Sequence, residues 1–452
     1  MSSSMRRRLA WTVWTVAVAG VLLATISTRY AVNDVLSANL GAWRIATTGV
    51  PWLDGFPLDA IETKPGQFLW VRESLHGHQV VFRSPGAVAA GIPAYLWPRG
   101  TAPEDFSLVP ASTFAVLLTL LTLGLFARTL LPHLGHAATM VAVSALALAT
   151  PVWSVSADSL WPHTVTLLGI AGMAWAASRS PVGSWAAVGA FGGVALWGRL
   201  HASLIVAVLG LVVSTRRRSL RPALSAGVVS AVFLAGATAW SRWVYGEWDP
   251  AGGYASVDVY ATKAAEGERW DQLVNLAGLW VSPGRGLLVV TPCILLLVPA
   301  LVRSWRALPD WATALLLGGL AYSVAQGLMN VFAGGTGFYG YRLMLETMAC
   351  AFPALALSAA RTGRVARALL PGLLAAQAVA VGVGAVRDAY SVDPDEAWHS
   401  NALWWAVTDI PTTGGALVVA AATATLAVRV LAPGWFTPWR NASPAEQAHQ
   451  RG

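Results

Sequence analysis

The sequence is poor in charge, nearly without lysine and almost without cysteine. Charged residues make up 12% of the 452 positions, and among 30 basic side chains only Lys64 and Lys263 are lysines. Cys293 and Cys350 both fall inside apolar runs, so no disulfide framework is implied. There is no HExxH and no Cys/His cluster, which leaves a structural or hydrolytic zinc site without support. No basic domain stands free of apolar runs, so the net charge of +8 is not the mark of a nucleic-acid binder.

What is abundant is apolar. At 56% hydrophobic residues and a mean hydropathy of +0.56, the composition is that of an all-α, polytopic membrane protein. Arg6, Arg7 and Arg8 precede an apolar run over 9–27, which reads as a retained signal anchor because no small-x-small cleavage site follows. Further runs long enough to span recur at 109–131, 137–152, 160–178, 183–198, 200–214 and 222–243. Others follow at 286–303, 310–331, 343–360, 366–386 and 413–431, giving about 12 transmembrane helices in a single integral-membrane domain, 1–452.

Charge sets the expected orientation. With the N-terminus in the cytoplasm, 17 of the 30 basic residues fall inside, but only Asp310 and Glu446 of the 22 acids do. The inner side then carries +15 and the outer side −7, a lopsided positive-inside split with both termini cytoplasmic. The elaborate segments all face out. They are a long first loop over 29–110, the stretch 151–163, a second large loop over 244–285, a glycine-rich turn over 332–342 and a late loop over 387–412.

The first loop places Asp34 a few residues beyond the first run. Partial desolvation there is expected to raise its pKa and make it a better proton acceptor, although an interfacial Asp also serves simply to solvate a helix end. Leu36, Leu40 and Trp43 follow at helical spacing, which predicts a helix lying on the membrane surface with its apolar face down. Trp270, Leu273, Ala277 and Trp280 predict a second one. Gly334, Gly335 and Gly337 lack the Gly-Lys-Ser/Thr ending and preceding strand of a nucleotide loop. They suit either a backbone that approaches a ligand closely or a plain turn.

Charges gather where the chain should be membrane. Arg199 and His201 interrupt two adjoining runs, Arg285 opens one span, and Arg342 and Glu346 open another. A lone Arg there snorkels or pairs with an acid. Several on one side, with Asp158 and His163 nearby in sequence, suit an anionic head group, since guanidinium matches phosphate oxygens. A hard divalent cation, Mg or Mn, between Asp34 and Asp158 is also compatible, because such ions need only a carboxylate or two.

In its inside N-terminus, long first outer loop and dozen runs, the chain resembles the GT-C type integral-membrane glycosyltransferases that use a polyprenyl-phosphate sugar donor. Asn33-Asp34 stands where that family places its catalytic aspartate, and Gly334-Gly335 through Gly340-Tyr341-Arg342, then Glu346 and Pro353, resembles the glycine–arginine stretch of bacterial members. Asp34 lacks the second adjacent acid many members carry. The resemblance implies a sugar moved with inversion onto an envelope glycan, lipid or protein acceptor at the outer face. Asp34 would act as base, Arg285, Arg342 and Arg199 would bind phosphate, and Asp158, His163 and His201 would line the substrate site. Arabinose and mannose are the sugars it suggests. A secondary transporter or flippase of a lipid-linked saccharide is the alternative, and it predicts charged or broken-helix sites near the midplane with short outer loops. A non-catalytic scaffold for envelope assembly is a third reading.

Overall fold

A computed structural model describes residues 2–28, 32–61, 69–97, 100–179, 184–252, 269–335, 337–386 and 396–431. The opening of the first loop at 29–31, residues 253–268 of the second, Thr336, the first part of the late loop and the C-terminal 432–452 lie outside these.

Every predicted apolar run falls on helix. Helix α1 (Ser3–Leu23) starts where Ser2 Oγ accepts the Met5 N–H. It docks through Trp11 and Trp14, whose indole N–H groups donate to His136 and Ser144. After the first-loop helices α2 (Asn33–Thr48) and α3 (Pro85–Gly91) comes α4 (Val109–Leu148). Pro132 lies within α4 and Gly135 has φ +71°, so the helix breaks between the two runs expected there. Next are α5 (Pro162–Ser178), α6 (Ser184–Gly198), α7 (Ser203–Arg217), α8 (Arg221–Tyr245) and α9 (Arg269–Val281). The run at 286–303 divides at Thr291–Pro292 into α10 (Leu287–Val290) and α11 (Cys293–Ser304). The bundle ends with α12 (Asp310–Met329), α13 (Leu345–Ser358), α14 (Arg364–Val386), α15 (Ala402–Asp409) and α16 (Pro411–Leu431).

Among the described residues, six helices are long and apolar enough to cross a membrane, against the dozen spans expected. Two of the expected spans share the kinked α4. The others lie on helices that are short, broken or, in α1, loaded with arginine. The chain is thus a multi-pass membrane protein whose body mixes full spans with shorter buried helices. Small residues bring these helices together: a Cβ on Gly169 would lie 2.6 Å from the Phe191 carbonyl oxygen, and one on Gly189 would collide with the Ala226 carbonyl.

The predicted surface helix is corrected by the fold. Helix α2 is buried from Val35 through Trp43, on more than one face. It is covered by a short antiparallel hairpin, β1 (Val71–Glu73) with β2 (Gln79–Val81), and by α3. Gly41 admits the Val81 side chain, Gly91 admits Ala42, and Ser37 Oγ accepts the Trp70 N–H at 2.8 Å. A helix enclosed this way gains its stability from packing on all sides and needs no membrane surface beneath it. On helix α9, Trp270, Leu273 and Ala277 of the expected stripe are exposed, whereas Trp280 is half-buried against the core.

Candidate functional site

Asp34 occupies the first turn of α2, where unpaired N–H groups and the helix dipole favour an acid. Both of its carboxylate oxygens are held. Arg83 Nη2 donates to Oδ1 at 2.5 Å, and Arg342 Nη1 donates to Oδ2. Arg83 follows β2 directly and is almost fully buried. Its Nε also donates to the Asp34 backbone carbonyl at 3.3 Å, and its guanidinium lies 4.7 Å from the Trp70 ring. Tyr245, at the end of α8, clamps the Arg83 backbone. The tyrosine hydroxyl accepts the Arg83 N–H at 3.2 Å and donates to the Arg83 carbonyl at 2.7 Å.

This arrangement reverses one expectation. Burial by itself pushes the Asp34 carboxyl up, as anticipated, but the charges of Arg83, Arg342 and Arg199 outweigh it and hold the group well below the usual carboxylate range. Paired with both arginines, Asp34 is held as an ionised counter-ion.

Arg342 is delivered by the glycine-rich turn. Gly334, Gly335, Gly337 and Gly340 all have positive φ, a conformation that disfavours side chains. A Cβ on Gly334 would also stand 3.3 Å from Arg342 Nε, so its absence leaves room for the guanidinium. The guanidinium lies 5.3 Å from the rings of both Trp161 and Phe338. Arg285, expected to contact phosphate, is only 2% exposed and shapes this turn instead. Its Nη1 donates to the carbonyls of Phe338 (2.8 Å) and Gly340 (3.1 Å), and its Nη2 to that of Gly335 (3.1 Å).

A second buried group adjoins the first. His163 Nδ1 lies 2.7 Å from Glu346 Oε1, and its Nε2 lies 2.9 Å from Arg199 Nη1. Arginine can only donate, so Nε2 carries the lone pair and Nδ1 the proton, which goes to the Glu346 carboxylate. The chain thus runs Glu346 to neutral His163 to Arg199. Gly198 makes it possible: any side chain there would strike Thr166 and the Pro162 carbonyl on the first turns of α5. His201, also expected at the site, adjoins this group, near enough for the Arg199 charge and His163 to act on it. It stacks on Tyr322 with ring centroids 4.8 Å apart and contacts Gln326, which donates to the Tyr322 hydroxyl at 2.9 Å.

Asp158 closes a short π-helical turn (Val152–Ala157) and accepts the Ser27 N–H on its backbone carbonyl at 3.0 Å, which ties it to the end of α1. With a guanidinium on each oxygen of Asp34, the donor set does not suit a cation shared between Asp34 and Asp158. No group of three or more His, Cys, Asp or Glu suited to a metal occurs among the described residues.

Asp34, Arg342, Arg199 and His163 are therefore brought together, while Arg285 supports them from behind. Arg83 and Tyr245 were not anticipated. The sequence signal for Arg83 is an arginine that closes the short apolar run Val80-Val81-Phe82 of the first loop.

No family model matches the chain, and no curated protein does. Among solved structures it is similar to ArnT from Cupriavidus metallidurans in the apo state, at 18% identity, over 95% of this chain and 75% of that one, with a TM-score of 0.46. A likeness of that degree assigns no residue a role.

Proposed function

We propose that the chain is a GT-C type glycosyltransferase that moves a sugar from a polyprenyl-phosphate carrier to a hydroxyl of an envelope glycan, lipid or protein, with inversion, on the outer face of the membrane. The observation that carries this reading is one carboxylate bridging two arginines at the arginine-poor end of a membrane helix bundle. A sugar on a lipid phosphate is already activated. Transfer then needs a base for the acceptor hydroxyl and cations for the departing phosphate. Asp34 supplies the base, Arg83 and Arg342 the cations, and Arg199, oriented by His163 and Glu346, a third positive charge.

The acceptor oxygen attacks the anomeric carbon from the face opposite the phosphate. The bond from that carbon to the phosphate oxygen breaks, and the acceptor proton passes to Asp34. The logic is that of the base side of an inverting glycosidase. Trp161 and Phe338, both buried, pack against the Arg342 guanidinium. The buried titratable groups favour this reading over a transporter: His163 and Glu346 sit in the first turns of α5 and α13, at helix ends.

Lipid extracts from a deletion strain test the proposal. A polyprenyl-phosphate sugar should accumulate, and purified protein in vesicles should consume it when given envelope acceptor. An unchanged lipid-linked sugar pool, with no consumption in vesicles, would reject the enzyme. Equilibration of the intact lipid-linked sugar between leaflets, without cleavage, would favour a flippase.

A further inference from the structure

Resting on that reading, we infer that Arg83 and Arg342 are shared in turn between Asp34 and the lipid phosphate, so that the carboxylate is an internal ligand which the donor phosphate displaces on binding. Four observations point to it. Both Asp34 oxygens already hold a guanidinium. Arg285 is committed to three backbone carbonyls and cannot stand in as a replacement. Arg199 directs its Nη1 to His163. Arg83 is fixed in place by Tyr245 and Trp70, so the guanidinium stays where Asp34 found it when the carboxylate lets go.

The chemistry of transfer gives the exchange a direction. A sugar-bearing polyprenyl phosphate is a diester with one negative charge. After transfer, the free carrier is a monoester carrying close to two. Over the same step Asp34 gains the acceptor proton and loses its charge. One unit of negative charge thus leaves the carboxylate and appears on the phosphate, with the same two guanidiniums lying between them. As the phosphate takes over the hydrogen bonds of Arg83 and Arg342 and neutralises their charge, the influence that keeps Asp34 a weak base is removed when a base is needed. Without donor, Asp34 stays ionised and paired.

The test uses purified full-length protein and the sugar-free carrier, a polyprenyl phosphate. Asp34→Asn removes the internal competitor, so the carrier should bind more tightly, by about tenfold or more, while Arg342→Ala should weaken it by a similar factor. In the wild type, carbodiimide with an amine labels carboxyls through their protonated form. Saturation with carrier should therefore raise labelling of Asp34, mapped by mass spectrometry, where simple occlusion would lower it. This second readout needs no variant to fold. Arg342→Ala weakening the carrier while Asp34→Asn binds it equally or less tightly, or carrier protecting Asp34 from label, overturns the exchange and leaves the phosphate site standing. Normal binding by both Arg83→Ala and Arg342→Ala would remove the phosphate site, and the exchange with it.

Discussion

The two ends of the bundle each contain an aspartate paired with arginine, and the pairs are built differently. Helices α7 and α12 connect them. Near one end of these helices His201 meets Gln326; at the other, Arg216 donates to Asp310 at 3.1 Å and to Thr313 at 2.5 Å. The Arg216 and Asp310 side chains are 33% and 46% exposed, where water screens their attraction and the pair is worth less than about 1 kcal/mol. Neighbouring arginines there cap carbonyls: Arg303 donates to Arg361, and Arg367 to Ala360 and Thr362. At the other end one carboxylate holds two guanidiniums, one of them nearly buried, beside a second enclosed chain of Glu346, His163 and Arg199. The same residue types are solvated at one end and more enclosed at the other.

The sharpest way to break this comparison is to show that both ends lie on one side. The two native cysteines are buried, so introduced ones report alone. Ser74 is buried, whereas Leu75 beside it is 74% exposed, and Leu220 in the arginine-rich turn is 68% exposed. Leu75→Cys should react with an impermeant maleimide on intact cells, and Leu220→Cys only after permeabilisation. Equal labelling of both would undo the outer-face assignment.

The next largest effect falls on turnover. Asp34→Asn should slow sugar transfer by roughly 10²–10⁴, as when a positioned base is lost, and Asp310→Asn should leave it unchanged. Asp158→Asn is the control within the outer end; a greater loss there moves the base to that residue. The Asp34→Asn variant also has a pH signature. Because the folded Asp34 carboxyl lies below its unfolded value, its stabilisation is fully present above about pH 4 and is lost as pH falls through the folded value. The melting difference between wild type and Asp34→Asn should therefore stay flat from neutral pH down to that point, then shrink on acidification.

Donor binding comes third. Arg83→Ala and Arg342→Ala should each weaken it by on the order of 1.5–3 kcal/mol, the size of a charge-assisted contact. Arg342→Lys should rescue only in part, having one point charge in place of a planar fork. Normal affinity in Arg342→Ala would make it a snorkelling residue. A smaller, structural effect is expected at His163. Leucine there strands Glu346 and Arg199 at a cost of about 1–3 kcal/mol, whereas glutamine offers an acceptor to Arg199 and a donor to Glu346. If glutamine melts as low as leucine, the directed chain through His163 is not what holds these groups. Smallest of all, Arg216→Ala should shift stability by less than about 1 kcal/mol and leave transfer untouched.

Much of the site was visible from local signals. Asp34 stood out as the first acid after an apolar run. Arg199, Arg285 and Arg342 stood out as charges at the ends of runs, and Gly334 to Gly340 as a turn that needs glycine. Arg83 did not stand out, because nothing within its own segment marks it; its partners lie 49 residues away on α2 and 162 residues away at Tyr245. The roles of Arg285 and Arg342 were indistinguishable in sequence, since both open outer ends beside glycine. Only the turn's carbonyls, pointing at one guanidinium and away from the other, separate them.

By itself the sequence determined the membrane class and the helical runs, because composition and periodicity act over a few turns of chain. Tertiary structure alone decided that α2 is enclosed, that Arg342 crosses 308 residues of chain to share Asp34 with Arg83, and that this aspartate rests ionised. Enclosure and charge pairing depend on which distant segments fill the space around a residue. Burial alone would have raised the Asp34 pKa; two guanidiniums brought in by the hairpin and the glycine turn reversed its sign.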